Sequence, residues 1–456
     1  MRNLFCFRTW SCLVMLIGAA ALASPGAQPG TLSVGAARVD ITPPANAALP
    51  MSGYEGRGPF RSIHDPIYAR AIVLSDGTHN AAILAWELIE MPDGVWRDLS
   101  QRISTNLGIP ADNLMLAGEH VHSAPMPAGA YYKGSPATLA YTAKLEDEAF
   151  EAVRQAKANL QPAQFGFGTG KCYVNINRRE FFPKEGGWWL GYNPNGPSDK
   201  TVSVLKFETL SGRPIAIFIN YSVHGTVMGP HNLEVSGDLP GATSRYVERF
   251  YEGKIDQDRS DAGWELQLQS QEKAGPNGVV ALWTSGPAGD QNPVVSDSGE
   301  DFSMVDALGR ILGEESVRVA QGITTLSSRA NIRGAQQVIA CPGRRLESGP
   351  HGPAPRSHYK FMDTKPENIR LSLLMLNNVA LTGVSGEVLT PIFQRLQKES
   401  PFAETIMITH ANGLSGYIPD DAAYNQVSYE VAVTHFKPGC AEAGIVNGLV
   451  ALMKDR

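Results

Sequence analysis

A pair of histidines, His120 and His122, is the part of the sequence best suited to chemistry. The apolar run 113–117 before the pair predicts a short buried strand, and Pro125 and Pro127 after it prevent a helix. Residues i and i+2 of an extended chain point to the same side, so both imidazoles would project together from the end of this strand. There they could hold a metal ion, or one could hold it while the other transfers protons. Taken alone, the pair is equally compatible with a polar strand end that has no function.

The same arrangement, an apolar run followed by polar side chains, recurs four times later in the chain. The runs cover residues 214–223, 279–283, 379–384 and 405–409, and the polar residues that follow them are His224, Asp290 with Asn292, Glu387, and His410 with Tyr417. Proteins that mix sheets and helices build sites on the loops beyond the carboxyl ends of strands, so these side chains could converge. His120, His224 and Glu387 then offer two imidazoles and a carboxylate, the ligand set of a catalytic zinc ion with an open position. Each residue by itself could instead form a local hydrogen bond or cap a helix.

The elements that must position these residues indicate a mixed α and β fold. The segments 68–74 and 81–86 alternate in polarity around Asp76-Gly77, which predicts a hairpin. Apolar periodicity predicts helices at about 93–106, 136–160, 240–250, 304–320, 390–398 and 441–453. No repeat, charge block or linker divides the chain. We therefore expect an α+β class, with one large catalytic domain over residues 24–456 in which helices flank mixed β-sheets.

Two details of this prediction concern the placement of side chains. The helix at 136–160 should turn an apolar face inward, formed by Leu139, Ala143, Ala149 and Val153. The stretch 171–200 should be an irregular, substrate-facing loop. In it Trp188 and Trp189 either meet the substrate or are buried beneath the loop.

The first 23 residues carry the pattern of a cleaved signal peptide. Arg2 and Arg8 form a basic start, residues 12–23 are apolar, and Ala21-Leu22-Ala23 is a small-X-small cleavage site. The stretch is too short and wrongly flanked to span a membrane, so we expect a secreted or periplasmic protein without stable membrane insertion. The remaining chain has 37 Lys and Arg, two fewer than the full 39, against 45 Asp and Glu, a formal net charge of −8. This charge argues against nucleic acid as a partner.

Three cysteines, Cys172, Cys341 and Cys440, remain after cleavage of the signal. Export permits one disulfide and one free thiol among them, and we favour the pairing of Cys341 with Cys440, while the other two pairings stay open. The chain contains no Cys-X-X-Cys spacing, so a thiolate zinc site is not expected.

Short motifs follow one another along most of the mature chain in a recognisable order. The first lie at 34–44, 53–54 and 63–71. The motifs that carry chemistry are His120-Val121-His122-Ser123, Asn177-Arg178, Val223-His224-Gly225-Thr226, Ser236-Gly237-Asp238, Gly289-Asp290, Gly386-Glu387, Ser415-Gly416-Tyr417 and Tyr429-Glu430. Together they resemble the catalytic domain of the neutral (non-lysosomal) ceramidase family. Members of that family are secreted zinc amidases that split the N-acyl bond of ceramide.

The resemblance implies a metal site and roles for the residues around it. By it, zinc would be bound by His120, His224, Glu387 and Tyr417, although tyrosine is an unusual ligand. His122 would transfer protons or hold the substrate carbonyl. Tyr429 would face the developing oxyanion, and Arg178 would lie beside the polar head of the substrate.

Two departures from the family bear on the substrate. Gly289-Asp290-Gln291-Asn292-Pro293 stands where the family has a serine in a Gly-Asp-X-Ser-Pro motif. Residues 431–456 are enough for one final helix, so we do not expect the β-sandwich domain that follows the catalytic domain in the family. We therefore expect a retained zinc centre and a substrate other than ceramide.

The sequence thus predicts an exported zinc-dependent hydrolase of amide bonds, with ester and lactone bonds as further candidates. Water activated by zinc would attack the carbonyl of a small-molecule acyl amide or ester, and His122 would move the proton. Tyr429 and Asn292 would donate hydrogen bonds to the oxyanion. The predicted substrate contacts are Arg178, Trp188 and Trp189.

Two alternatives to this function remain open from the sequence. The first is a metal-dependent phosphoesterase, for which Asp238 and Asp290 are the extra carboxylates that stand out. The second is a non-catalytic binding protein that retains the fold.

Overall fold

The computed structural model describes residues 29–129, 133–253, 278–299, 301–347 and 358–455. The predicted signal peptide, residues 1–23, lies outside the described residues. The helices are α1 Asp93–Leu107, α2 Pro136–Ala158, α3 Asp238–Tyr251, α4 Ser303–Gly322, α5 Thr390–Glu399, α6 Tyr429–Val433 and α7 Ala441–Lys454. The strands are β1 Gly30–Thr31, β2 Ser33–Asp40, β3 Ser62–Ile63, β4 Tyr68–Ser75, β5 Asn80–Trp86, β6 Leu114–Gly118, β7 Gln161–Lys171, β8 Asn175–Phe182, β9 Gly187–Asn193, β10 Thr201–Thr209, β11 Pro214–Tyr221, β12 Glu234–Val235, β13 Val280–Ser285, β14 Gln291–Pro293, β15 Arg329–Ala330, β16 Ile332–Leu346, β17 Phe361–Leu376, β18 Val379–Val384, β19 Glu387–Val388, β20 Glu404–Ile408 and β21 Tyr417–Ile418.

Two mixed sheets pack face to face at the centre of the molecule. The larger sheet has the order β13-β11-β10-β7-β2-β4-β5-β6, with parallel pairs β5/β6 and β11/β13. The smaller sheet has the order β16-β17-β18-β20, with β18 and β20 parallel. A buried apolar layer joins them, to which the larger sheet contributes Ile83 and Phe218 and the smaller Leu374 and Leu381. The predicted class, mixed sheets combined with helices, is confirmed.

Helices cover the outer faces of both sheets. Leu99 of α1 and Leu145 of α2 pack on one half of the larger sheet, and Leu312 of α4 packs on the other half together with α3. Leu396 of α5 and Leu449 of α7 pack on the outer face of the smaller sheet. The described part of the chain therefore has four layers: helices, sheet, sheet and helices. No helix within it is long and apolar enough to cross a membrane.

Helix α2 forms where a helix is predicted, but the predicted buried face is wrong in part. Leu139 is 53% exposed, and Ala143 is also exposed. The apolar residues that follow each other at intervals of four along the buried side are Tyr141, Leu145, Ala149 and Val153. Residues spaced in this way lie above one another on one side of a helix. Tyr141 belongs to this side because its ring is apolar, and its hydroxyl donates to the carbonyl of Ile41 at 2.8 Å.

The irregular loop predicted at 171–200 is also wrong, since most of it is an antiparallel hairpin. Strands β8 and β9 pair with each other, and β14 pairs with the other edge of β8. The turn between them, residues 183–186, ends at Gly186, whose φ of 64° suits a residue without a side chain. The many polar residues of β8 obscure the strand pattern in the sequence. Their side chains are directed to other loops of the site instead of to water.

The three parallel pairs bring the functional strand ends to one edge of the two-sheet core. His120 follows β6, His224 follows β11, and Glu387 follows β18. The sheets are also tied together there, because the amide of Gly118 donates to the carbonyl of His410 at 3.2 Å. The predicted convergence of strand ends is thus present in the fold.

A disulfide joins Cys341 on β16 to Cys440, which directly precedes α7. The favoured pairing is confirmed, and Cys172 is a buried free thiol. The bond attaches the last helix to the smaller sheet, whose outer face this helix covers.

Loss of this disulfide should lower the free energy of unfolding by about 2–5 kcal/mol, because the bond closes a long loop in the unfolded chain. The measurement is denaturant unfolding of the Cys341→Ser/Cys440→Ser variant and the wild type, each with and without reductant. Reductant should destabilise the wild type and leave the double variant unchanged. Equal stability of the wild type in both conditions would contradict the prediction.

Candidate metal centre

Two histidines are held so that the same ring nitrogen of each faces the centre of the site. Nδ1 of His120 lies 3.0 Å from the carbonyl oxygen of Ile89, and Nδ1 of His224 lies 3.0 Å from that of Gln291. A carbonyl can only accept, so each Nδ1 carries the proton and each Nε2 carries a lone pair. Backbone carbonyls that fix a tautomer in this way are typical second partners of metal-binding histidines.

Glu387 completes a convergence of hydrogen-bond acceptors. Its Oε2 lies 3.2 Å from Nε2 of His120 and 3.3 Å from Nε2 of His224. This oxygen is buried, and no hydrogen-bond donor from the described residues reaches it. The Tyr417 hydroxyl is 3.5 Å from Nε2 of His224, and Glu387 and Tyr417 stand side by side in the register of β19 and β21. Arg178 donates to Nε2 of His224 at 3.1 Å, but Oε2 of Glu387 faces both imidazole lone pairs without a donor from the described residues. A cation between the three atoms would relieve this repulsion.

The spacing of these atoms fits a metal ion. A tetrahedral zinc ion with bonds of about 2.1 Å holds its ligand atoms about 3.4 Å apart. The observed separations around Glu387 and Tyr417, 3.2, 3.3 and 3.5 Å, are close to this value. The four predicted ligands His120, His224, Glu387 and Tyr417 are therefore brought together, with acceptor atoms that could hold one ion.

The protonation states in the site suit a metal ion. Burial, with a further contribution from the Arg178 guanidinium, lowers the pKa of His224 to about 3. Burial also lowers the pKa of His122 well below the usual imidazole value. Neutral imidazoles and an ionised carboxylate are the forms that bind metals.

Arg178 lies against the ligands, with each of its donor groups in use. Nε donates to Glu430 at 2.9 Å, one terminal nitrogen lies 3.1 Å from Nε2 of His224 and 3.3 Å from Oδ1 of Asn292, and the other donates to the Tyr417 hydroxyl at 2.9 Å. Burial raises the pKa of Tyr417, and the positive charge of Arg178 opposes that rise. The pKa of Tyr417 still lies well above its usual value, so the phenol keeps its proton, and Arg178 offsets only part of the effect of burial.

His122 reaches the same centre from beside His120. Its Nε2 lies 3.2 Å from Nε2 of His120, and its buried Nδ1 has no partner in the part of the chain that the structure describes. Gly53, at φ 86°, leaves room for the ring, since a Cβ there would lie 2.1 Å from Nδ1. Arg57 donates to the His122 carbonyl at 2.7 Å, and the Tyr54 ring meets the imidazole edge-on at 5.1 Å. The site thus contains a histidine beyond the predicted ligand set, with one nitrogen directed to the centre.

The predicted aromatic residues divide into two groups. The Tyr429 ring meets Tyr417 and Trp189, each at a centroid distance of 5.6 Å. Burial raises the pKa of Tyr429 to about 12, so its hydroxyl keeps its proton and can donate. Trp188 instead packs on Phe181, its register partner, at 5.6 Å. Trp189 is therefore connected to the site through Tyr429, and no described contact connects Trp188 to it.

Two buried aspartates brace the loops. Oδ1 of Asp290 accepts from the amide and the hydroxyl of Thr390, and its Oδ2 accepts from Asn177. Thr390, the first residue of α5, thus donates to Asp290, and the N-cap of this helix is Leu389.

Asp238 has the same function in the neighbouring loops. Its oxygens accept from the amides of Val227, Met228 and Leu239 and from the Ser123 hydroxyl, at 2.8 to 3.1 Å. Every carboxylate oxygen of Asp238 and Asp290 therefore has a donor, and these residues hold the loops of the histidines and of Glu387 in place.

Sequence reasoning left some residues of the centre without a role. His410 stands at one of the predicted strand ends, and its ring stacks on His120 at a centroid distance of 4.0 Å. Glu430, which orients Arg178, belongs to a motif of the resemblance, and Ile89 acts only through its backbone. The sequence could have pointed to His410, because this residue directly follows an apolar run. No sequence pattern marks the backbone carbonyl of Ile89.

Comparison with known proteins agrees with these motifs and this geometry. The family model for neutral/alkaline non-lysosomal ceramidase, N-terminal, matches residues 32–322. Neutral ceramidase A of Dictyostelium discoideum is 29% identical over 236 residues, which are 48% of this chain and 32% of that protein. Neutral ceramidase B of the same organism is 28% identical over 277 residues, 57% of this chain and 35% of that protein, so this chain matches about a third of the length of these relatives.

The structure of neutral ceramidase from Pseudomonas aeruginosa has a similar fold. It aligns with a TM-score of 0.70 at 18% identity, over 94% of this chain and 75% of that one. The family match covers more than half of the described chain and contains the loops of His120 and His224. The chain therefore belongs to the neutral/alkaline non-lysosomal ceramidase family.

Proposed function

We propose that this protein is an exported zinc-dependent hydrolase of carboxylic amides, with esters and lactones as further substrates. The observation that carries the proposal is the unpartnered Oε2 of Glu387, which faces the lone pairs of His120 and His224 at 3.2 and 3.3 Å. Export is supported by the signal-like first 23 residues and by the Cys341–Cys440 disulfide, which suits an oxidising compartment.

Zinc is the metal that the donor set favours. Two imidazoles, a carboxylate and a phenol combine nitrogen and oxygen ligands, whereas calcium and magnesium prefer oxygen ligands alone. When bound, a zinc ion would polarise a substrate carbonyl and lower the pKa of a water molecule to about 7.

The surrounding side chains supply the remaining steps of amide hydrolysis. His122 is neutral and directs Nε2 to the centre, so it can accept a proton from the attacking water and pass it to the leaving nitrogen. The hydroxyl of Tyr429 can donate to the oxyanion. Asn292 accepts from Arg178 through Oδ1, which leaves its NH2 group free as a second donor.

The phosphoesterase alternative has less support. The carboxylates that would complete its metal site, Asp238 and Asp290, direct their oxygens to amide and hydroxyl donors of the protein. A binding protein without catalysis explains neither the imidazole of His122 beside the ligands nor the donors of Tyr429 and Asn292.

The substrate should be smaller than ceramide, the substrate that the names of the curated relatives imply for them. A cavity of about 330 Å³ lies beside Asn292, with Ile176, Tyr192 and Val294 among its lining residues. This volume is near the lower end for small-molecule sites, and none of the proposed metal ligands lines the cavity, so it is a candidate for one end of the substrate. Asn292 itself replaces the family's serine, so the polar end of the site differs as well.

A substrate screen tests the proposed function. The purified zinc-loaded protein is assayed with N-acyl amides, carboxylic esters and phosphoesters of matched size. Amide hydrolysis is expected. Turnover of phosphoesters alone would establish the phosphoesterase alternative, and tight binding of acyl amides without turnover of any class would establish the binding protein.

His224→Ala should remove the bound zinc and abolish turnover, because the remaining ligands hold the ion too weakly in competition with water. Metal content per chain is measured after gel filtration, together with the rise in Tm on zinc addition, which a protein that binds zinc in its folded state must show. His231→Ala, at an exposed histidine, is the control and should keep both properties. Stoichiometric zinc in His224→Ala would contradict the ligand assignment.

Asn292→Ala should lower kcat by about 10²- to 10³-fold with little change in KM, because it removes a donor that acts mainly on the transition state. Asn292→Ser should restore part of the rate. If Asn292 only braces the turn before Pro293, the Ala variant will instead lose thermal stability and keep its kcat. An amide side chain is no nucleophile at neutral pH, so an acyl-enzyme at position 292 found by mass spectrometry would exclude direct attack by water.

Short and medium N-acyl amides should be cleaved efficiently and ceramide poorly, because the cavity beside Asn292 is small. The measurement is kcat/KM along a series of acyl chain lengths, with ceramide presented both in detergent and in vesicles. Efficient hydrolysis of ceramide in either form would contradict the proposed substrate class.

A further inference from the structure

The ring of His122 is held differently from the rings of the predicted histidine ligands. Nδ1 of His120 and Nδ1 of His224 each meet a backbone carbonyl at 3.0 Å, which fixes the direction of both rings. Nδ1 of His122 is buried and has no hydrogen-bond partner among the described residues. Its Nε2 nevertheless points to the centre, 3.2 Å from Nε2 of His120. The direction of this ring must therefore be set by its backbone and by the groups packed around it.

The backbone of His122 is held by the guanidinium of Arg57. One terminal nitrogen donates to the carbonyls of Ser52 and His122, both at 2.7 Å, and the other donates to the carbonyl of Asn232. The three carbonyls lie 5, 65 and 175 positions from the arginine, so they belong to separate segments of the chain. A guanidinium presents its donors in a rigid planar fork. Arg57 therefore fixes the His122 carbonyl relative to two other segments at once.

The attachment of Arg57 at Asn232 is itself well supported. The side-chain amide of Asn232 donates to the Ser123 hydroxyl at 3.2 Å and to the carbonyl of Glu234 at 2.9 Å. The Ser123 hydroxyl donates in turn to Asp238 at 3.1 Å, and Asp238 is one of the two aspartates that brace the loops. Arg57 thus ties the backbone of the proton-transferring histidine to the same braced loops that hold the metal ligands.

The imidazole of His122 packs against Tyr54 and the backbone of Gly53. The Tyr54 ring meets the imidazole edge-on, at a centroid distance of 5.1 Å and an interplanar angle of 67°. The guanidinium carbon of Arg57 lies 5.3 Å from the centre of the same tyrosine ring. Edge-to-face and cation–π contacts both depend on orientation, so Arg57 also holds the ring that packs on His122. A Cβ at Gly53 would lie 2.1 Å from Nδ1 of His122, which shows how closely this backbone approaches the imidazole.

We propose that Arg57, together with the ring of Tyr54, is a positioning group that aligns His122 for proton transfer at the metal centre. Both residues act through His122 and need no contact with the substrate. Proton transfer requires heavy atoms within about 2.6–3.2 Å of each other, so a small displacement of the imidazole slows it. The role of His122 in proton transfer rests on the proposed function, whereas its alignment is a property of the free protein.

Steady-state kinetics test the alignment in the zinc-loaded protein. Arg57→Met removes the donors and keeps an unbranched side chain, and it should lower kcat by about 100-fold with KM and zinc content nearly unchanged. Arg57→Lys keeps the charge but loses the planar fork, so it should recover part of the rate. Arg61→Met, at an exposed arginine of the same segment, is the matched control and should keep the kcat of the wild type. Wild-type kcat in Arg57→Met would overturn the proposal.

A double-mutant cycle separates alignment of His122 from a general structural effect. If Arg57 acts through His122, Arg57→Met should cause little further loss of kcat in a His122→Ala background. A full additional loss in that background would show that Arg57 acts by another route, which would overturn the proposal. Tyr54→Leu removes the ring and should also lower kcat in the wild type but not in His122→Ala. Wild-type kcat in Tyr54→Leu would remove Tyr54 from the positioning group.

Nuclear magnetic resonance measures the alignment without any turnover. The zinc-loaded full chain is labelled with ¹³C at Cε1 of histidine, and the signal of His122 is identified by its loss in His122→Ala. The wild type should give one sharp signal for His122. In Arg57→Met this signal should shift and broaden, because the ring adopts several directions. The signals of His120 and His224 should keep their positions, because backbone carbonyls fix those rings.

The outcomes of this measurement separate the alignment from the proposed function. An unchanged His122 signal in Arg57→Met would overturn the proposal, and if that variant does not fold, the same comparison is made with Arg57→Lys. Equal broadening in Arg61→Met would also overturn it, since the effect would then not depend on the contacts of Arg57. Absence of amide hydrolysis, by contrast, would remove the proposed substrate class and leave the expected change of the His122 signal unaffected.

Discussion

The structure of the site depends on one unfavourable arrangement, the approach of three lone pairs. Nε2 of His120, Nε2 of His224 and Oε2 of Glu387 face one another at about hydrogen-bonding distance, and none of them brings a proton. A buried polar atom without a partner costs about 1–3 kcal/mol, and a charged one costs more. A cation between these atoms would relieve the cost, and in its absence the loops that carry them must be held by other interactions.

Those other interactions come from the two-sheet core and from the braces behind the ligands. Parallel pairing places the carboxyl ends of neighbouring strands at one edge, and the apolar layer between the sheets fixes the two edges against each other. Asp238 and Asp290 then tie the loops with donors from backbone and side chains. Glu430 holds Arg178, whose positive charge lies beside the phenol of Tyr417. Rigid support of this kind maintains a metal site in the absence of the metal.

Local patterns in the sequence were sufficient for most of the elements. Alternation around Asp76-Gly77 predicted the hairpin of β4 and β5, and apolar periodicity predicted α1 and α7 to within a few residues. The hairpin of β8 and β9 was missed because its polar residues point into the site. Helix α2 was predicted with a partly wrong face, since the apolar ring of Tyr141 takes a place that periodicity assigned to Leu139. Both errors concern burial, which depends on what packs against an element.

The sequence by itself determined the mixed class, the residue types at the strand ends and the resemblance that joined Tyr417 to the ligand set. Only the tertiary structure decided the tautomers of His120 and His224, because the carbonyls that fix them come from distant loops. It also decided that Arg178 lies against the ligands, that Trp188 packs away from them, and that His410 stacks on His120. Residue types follow from the sequence, whereas distances and the direction of lone pairs arise from contacts between residues hundreds of positions apart.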